Sequence, residues 1–262
     1  MKLFLVIISF IICFNSNKTF HPERCIISNF DFVDVDQAGN LYFVKDDQLK
    51  KYNSNGQLLK IYSNKKLGKI FSVDVSNPLR ILLFYKDQSQ IIYLDSQLSQ
   101  NAESIDLLNY NLEQTDLVCN SVNNGFWLFD RQNAQLFRMD AFFNKIVNTG
   151  NLNVLLSRKI DPNFILEKEN YLFINNPDEG ILMFDIYGTY YKTIPISGLK
   201  HFTVKSGKIY YFKDKVFYKF DFTKFISDEI SFNELSLNDI IKSDTEIIKV
   251  YKDSVCFSSF KF

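Results

Sequence analysis

From Phe30 onward the chain alternates short apolar stretches with short polar turns, and no helical period is sustained. One short stretch is rewritten several times. Residues 136–140 read Leu-Phe-Arg-Met-Asp, residues 49–53 Leu-Lys-Lys-Tyr-Asn and residues 91–95 Ile-Ile-Tyr-Leu-Asp. Residues 182–185 (Leu-Met-Phe-Asp) and 218–221 (Tyr-Lys-Phe-Asp) repeat the form. The closing residues Asn53, Asp95, Asp140, Asp185 and Asp221 lie 42, 45, 45 and 36 residues apart. Such a period marks repeated units that cannot bury their apolar faces alone and so stack on their neighbours. The closing Asn or Asp reads as the exit of a strand into a turn, where its side chain hydrogen-bonds the backbone.

Around this stretch each unit predicts a four-stranded meander. In the first unit these are residues 32–35, 41–45, 49–53 and 58–62, the last two joined through Ser54-Asn55-Gly56, a turn that needs positive φ. Second strands align on Leu41, Ile81, Phe126, Tyr171, Ile209 and Val255, at steps of 40, 45, 45, 38 and 46 residues. Six such units predict an all-β chain, a six-bladed β-propeller of four-stranded antiparallel blades. A β-sandwich would explain strands but not the recurrence, and a parallel β-helix would repeat at shorter periods. The second unit's fourth strand is poorly marked in residues 98–108, and the fifth's is expected near residues 229–235. The sixth unit is incomplete, with residues 247–251 and 255–258 as its first two strands and only residues 259–262 for a third. The strand-like segment 24–30 has no blade of its own, and it is expected to complete the last blade and close the ring.

Composition sharpens this picture in three places. Aromatic residues make up 16% of the chain, which suits pleated surfaces, while 9 Gly and 5 Pro leave the turns to Asn, Asp and Ser. Thirty basic and 30 acidic residues cancel, which excludes the basic footprint that nucleic acid requires. The start is different: Lys2 precedes an apolar run, residues 3–14, broken only by Ser9 and followed by Asn15-Ser16-Asn17-Lys18. That pattern predicts a secretory leader over residues 1–16 ahead of a propeller domain over 17–262, the run being short for a membrane span. Export to the periplasm, envelope or medium follows. Cys13 lacks the small residues that precede a lipidated cysteine, since Phe10-Ile11-Ile12 stands there.

The cysteines left after such cleavage are Cys25, Cys119 and Cys256. If the segment 24–30 is the third strand of blade six, Cys25 lies beside Cys256 at about 5 Å and can bond to it. If it is the fourth strand, the two are about 10 Å apart and cannot. The fourth-strand arrangement is the expectation, with all three cysteines as small buried hydrophobes.

The stretch Asp34-Val35-Asp36-Gln37-Ala38-Gly39-Asn40-Leu41-Tyr42-Phe43 resembles the NHL-type and TolB-like repeats of six-bladed propellers. In those families the Gly-Asn pair makes the tight turn between the innermost and second strands, and the resemblance implies the same here. Traces recur at Asn124-Gly125, Glu169-Asn170 and Ser206-Gly207. Some propellers of this kind are gluconolactonase-like hydrolases with a divalent metal in the central channel. The alternative this implies is a lactonase whose channel acids come from Asp34, Asp74, Asp116 and Glu167. The simpler reading is that these acids contact channel water. Asp34-x-Asp36 is not an EF-hand, because position twelve is Lys45 rather than Glu.

The remaining candidates are polar turns. The turns between second and third strands read Lys45-Asp46-Asp47, Lys86-Asp87-Gln88, Asp130-Arg131-Gln132, Asn176-Pro177-Asp178-Glu179 and Lys213-Asp214. A propeller gathers them on one rim, and loops on a rigid scaffold carry recognition. A binding surface for a protein or glycan is therefore expected at Asp46, Lys86, Asp87, Asp130, Arg131, Asp178, Glu179 and Asp214. His21 and His201 have no Ser or Cys in motif context, and Walker, dinucleotide and zinc spacings are absent. The expected protein is a monomeric binding or scaffold module without catalysis or cofactor. Trp127, in an apolar strand, is expected in the core.

Overall fold

A computed structural model describes residues 24–258 apart from 233, 235 and 245. The leader expected over residues 1–16, with Cys13, and His21 lie outside the described residues, as do residues 259–262. The described chain is a six-bladed β-propeller whose strands form six antiparallel four-stranded sheets. β1 (Arg24–Ile27) belongs to the last blade, and blade one holds β2 (Phe32–Val35), β3 (Leu41–Lys45), β4 (Gln48–Tyr52) and β5 (Leu58–Ser63). Blade two holds β6 (Ser72–Asp74), β7 (Ile81–Tyr85), β8 (Gln90–Leu94) and the two-residue β9 (Ile105–Asp106). Blade three is β10 (Thr115–Asn120), β11 (Phe126–Asp130), β12 (Gln135–Met139) and β13 (Lys145–Asn148). Blade four is β14 (Phe164–Lys168), β15 (Tyr171–Asn176), β16 (Gly180–Asp185) and β17 (Tyr190–Ile194). Blade five is β18 (Thr203–Lys205), β19 (Lys208–Lys213), β20 (Val216–Asp221) and β21 (Ile226–Ser231).

The core is divided among the blade interfaces. Along β7, Ile81, Leu83 and Tyr85 pack toward blade one, while Leu82 and Phe84 pack toward blade three. On β11, Phe126 and Leu128 face blade two, and Trp127 and Phe129 face blade four. A strand sends alternate side chains to opposite faces, so a central strand buried on both sides must be apolar throughout. Six apolar clusters result, one for each pair of neighbouring blades around the ring.

The repeated closing residues act as the sequence implies. The Oδ1 of Asn53, Asp95, Asp140, Asp185 and Asp221 accepts the backbone N–H two residues on, at 3.0, 2.8, 2.8, 2.9 and 3.0 Å. Each is an Asx turn that leads the third strand into the fourth. The Gly-Asn turn of blade one is also built: Gly39 has φ +82°, and Asp36 accepts from the Asn40 backbone at 2.9 Å.

Blade six closes the ring, with one correction to its strand count. Its sheet runs β22 (Asp239–Lys242), β23 (Ile247–Val250), β24 (Ser254–Ser258) and then β1 (Arg24–Ile27). The N-terminal strand does supply the outermost edge. The innermost strand, however, is β22, and the pair expected as first and second strands are second and third. Counted this way the second strand starts at Ile247, 38 residues after Ile209, which matches the step before it. Cys256 moves outward by one strand and stands opposite Cys25 in the β1–β24 register. The two form a disulfide with Cα atoms 4.0 Å apart, against the expected unbonded pair, and Cys119 alone of the described cysteines stays free and buried.

The bond joins residues 231 apart in sequence, so it restricts nearly the whole unfolded chain. Reduction should lower the unfolding free energy by roughly 3–5 kcal/mol, read from urea titrations with and without reductant. Iodoacetamide labelling after denaturation should count two more thiols once reductant is added. An unchanged count would show that the bond is absent.

Candidate functional site

The turns between second and third strands stand together at one end of the ring, but the structure treats the eight expected residues differently. Lys86, Arg131 and Asp178, from blades two, three and four, line one cavity of about 400 Å³ with Phe71, Asp116 and Asp161. Lys86 Nζ lies 2.6 Å from Asp116 Oδ1 and 4.9 Å from the centre of the Phe71 ring. Arg131 closes on the other Asp116 oxygen through Nε and reaches Asp161 through Nη1 at 2.8 Å. Burial first, and the Arg131 charge second, lower the Lys86 pKa from its ordinary value. Asp87 is exposed beside this cluster. Two like cations are thus held together by one buried carboxylate, while Asp161 and Asp178 present acid to solvent.

The other four expected residues serve the fold. Asp130 is buried and accepts from Gln132 N and Asn133 N at 2.9 and 3.3 Å. Glu179 pairs with Arg158 at 2.7 Å. Asp46 and Asp214 hold left-handed turn positions, with φ 49° and 51°, on blades one and five away from the cavity. Sequence reasoning missed Phe71 and Asp161 because both come from connections between blades, where no repeat position marks them.

The innermost-strand acids separate as well. Asp34 and Asp74 line the central channel, a cavity of about 300 Å³. Asp116 does not: the register shifts between Thr115 and Leu117, and this bulge turns its side chain into the rim cavity. Glu167 shares its strand face with Ile165, the face packed on blade three. There it accepts from Trp127 Nε1 and Ser121 Oγ, both at 2.5 Å, and from Val122 N at 2.9 Å. Ser121 in turn accepts from Arg138 Nε at 2.7 Å. Trp127 is fully buried, as expected. Among the described residues no three His, Cys, Asp or Glu side chains form a metal-binding group.

The channel has its own electrostatics. Burial, then the nearby charges of Asp74 and Asp36, raise the Asp34 pKa to about 7 against the pull of the Val35 N–H and His201. His201 Nε2 contacts Asp239 Oδ2 near the start of β18. Burial works against a charged His201, but its bond to Asp239 and the charges of Asp239 and Asp34 outweigh it and raise its pKa. The pair was not legible in the sequence because the strand that carries Asp239 was not recognised.

No protein-family model and no curated protein matches the sequence. Among solved structures the chain is similar to a streptogramin B lyase, at 12% identity and TM-score 0.61, over 92% of this chain and 88% of that one. It is similar to the virginiamycin B lyase from Staphylococcus aureus, at 12% identity and TM-score 0.60, over 92% of this chain and 100% of that one. The Neurospora crassa Pan2 WD40 domain aligns at 10% identity and TM-score 0.58, over 90% and 85%. These likenesses show the fold, a β-propeller, and nothing of the chemistry.

Two measurements check the site's physics. Replacing Glu167 by Ala strands the Trp127 indole N–H, a hydroxyl and a backbone N–H in the blade interface, and should cost about 3 kcal/mol; Glu167→Gln should cost about 1 kcal/mol. Trp127 is the chain's single tryptophan, so its fluorescence follows both unfolding curves. For Asp34 the folded pKa is raised, so unfolding releases a proton between the unfolded value near 3.9 and about 7. The penalty for ionising it in the fold is absent below that window and full above it. Asp34→Asn should therefore stabilise the protein by about 2 kcal/mol at pH 8, a value reduced for partial exposure to channel water. The gain should vanish at pH 4.

Proposed function

We propose that this chain is an exported propeller that binds a protein or a glycan through the rim of second-to-third strand turns, without catalysis. The observation that carries this reading is the cavity across blades two to four. There Lys86 and Arg131 are fixed by Asp116, Asp161 is exposed while pairing with Arg131, and Asp178 and Asp87 are exposed. Groups held in this way bind a partner without further ordering, which lowers the entropy lost on association. Phe71, 43% exposed, adds an apolar contact at the same place.

Two features support export. The apolar run of residues 3–14 behind Lys2 has the form of a secretory leader. The Cys25–Cys256 disulfide suits an oxidising compartment, since cytosolic thiols are kept reduced. The lactonase alternative needs convergent donors in the channel, and Asp116 and Glu167 point elsewhere.

The test is a pull-down from envelope extract together with a glycan array, using Asp87→Lys, Arg131→Glu and Asp178→Lys. Single reversals should weaken capture about tenfold or more, the size expected for charge pairs at a buried interface centre. A set of partners unchanged by all three reversals would overturn the rim as the binding surface.

A further inference from the structure

The central channel carries its charges in two groups. Blades one and two contribute Asp34 and Asp74 to its wall, and blades four, five and six contribute Lys168, Lys205 and Lys242. In a six-membered ring, blades four and five stand across the axis from blades one and two, and blade six stands beside blade one. Blade three, between the groups, lines the channel with Leu117 and Val118. Between the charges the wall mixes apolar side chains, Val73, Phe164, Phe202 and Ile241 among them, with neutral polar ones such as Gln37, Asn163 and Thr203. Charges facing such a wall are screened less than charges in open water.

Each group is crowded with its own sign, although His201, itself paired with Asp239, also acts on Asp34 and favours its ionised form. Asp74 and Asp36 disfavour the ionised form of Asp34. Asp36 is already committed to its own blade, accepting from Asn40 and from the Tyr42 hydroxyl at 3.0 Å. Asp74 accepts one backbone N–H on each oxygen, from Ser76 N at 2.8 Å and Asn120 N at 2.7 Å, which leaves each oxygen with a further lone pair. On the other wall, burial and the Lys205 charge lower the pKa of Lys242, against Asp244. Lys242 Nζ donates to the Ser243 carbonyl at 2.7 Å, and Lys205 Nζ pairs with Asp244 Oδ1 at 2.7 Å. One acid cannot neutralise three ammonium groups, so the basic wall keeps an excess of positive charge. The two walls are therefore separately unsatisfied across one cavity.

We propose that the channel binds a small zwitterion of the size of a free amino acid or dipeptide, its carboxylate on Lys168, Lys205 and Lys242 and its ammonium group toward Asp34 and Asp74. A ligand with both charges relieves the like-charge crowding on each wall at once, whereas one with a single charge leaves the other wall as it was. The cavity of about 300 Å³ limits the ligand to this size class. The channel and rim cavities share Phe71, Leu117 and Asn163 in their walls but none of the charged side chains invoked, so the two readings are tested by different substitutions.

Isothermal titration of the full chain with the dipeptide L-alanyl-L-alanine tests it. Saturable one-to-one binding is expected with Kd near or below about 1 mM. The N-acetylated dipeptide, which lacks the ammonium group, and the dipeptide amide, which lacks the carboxylate, should each bind about tenfold or more weakly. Asp34→Asn should abolish the penalty for acetylation and keep that for amidation, and Lys242→Met should do the reverse. Equal binding of the three ligands, no saturable heat with any of them at about 10 mM, or full discrimination retained in both variants would overturn the proposal. Should either variant fail to fold, the three-ligand series on the unaltered protein still decides it.

Discussion

The rest of this structure depends on one constraint: the second strands of blades one to four are largely apolar and buried on both faces. The run from Ile81 to Tyr85 is fully buried because alternate residues enter two different interfaces. A single blade of this kind would expose a whole apolar sheet face to water, at roughly 25 cal/mol for each Å² left uncovered. Each blade must therefore have two neighbours, and a row of six has two uncovered ends. Closing the ring covers both. This makes the join between the sixth and first blades a structural necessity, in contrast to an ordinary chain terminus.

At that join the covalent and apolar terms coincide. Ile26 on β1 packs with Leu41 and Phe43 of the first blade and Ile248 and Val255 of the sixth. Cys25, its neighbour along β1, points to the other side of the strand and bonds Cys256. Outside the sheet, Arg24 pairs with Glu246 at 2.6 Å and lies over the Phe257 ring. Three successive residues of one short strand thus contribute an ion pair, a disulfide and a core contact. An outermost strand pairs along one edge only and β1 is mostly exposed, so a strand supplied from the far end of the chain needs more than its four residues of pairing to remain in place.

The strong parts of the repeat were legible because they are chemically forced. Third strands had to leave through a residue able to accept backbone N–H groups, and so Asn53, Asp95, Asp140, Asp185 and Asp221 gave the period away. Outer strands had no such mark. β21 reads Ile-Ser-Asp-Glu-Ile-Ser and is almost wholly exposed, so its composition is that of a loop. Misplacing it hid β22, where only Ile240 and Ile241 are buried, and that slip moved Cys256 by one strand and reversed the disulfide expectation. The candidate site was legible only in part for a related reason. Lys86 and Arg131 stand at repeat positions, whereas Phe71 and Asp161 approach them from inter-blade connections whose geometry no period encodes.

The same constraint decides where chemistry can reside. Second and third strands are occupied with packing, and a charge placed there needs a complete set of partners. The Glu167–Trp127–Ser121–Arg138 network shows this, for every polar group in it is taken up by another. The positions released from packing are the turns at the rim and the inner edge of each first strand, which faces water on the axis. It is there that groups with unbalanced surroundings are found: Asp34 against Asp74 in the channel, and Lys86 beside Arg131 on the rim. Such imbalance is a better guide to binding than charge alone, because a bound ligand can relieve it.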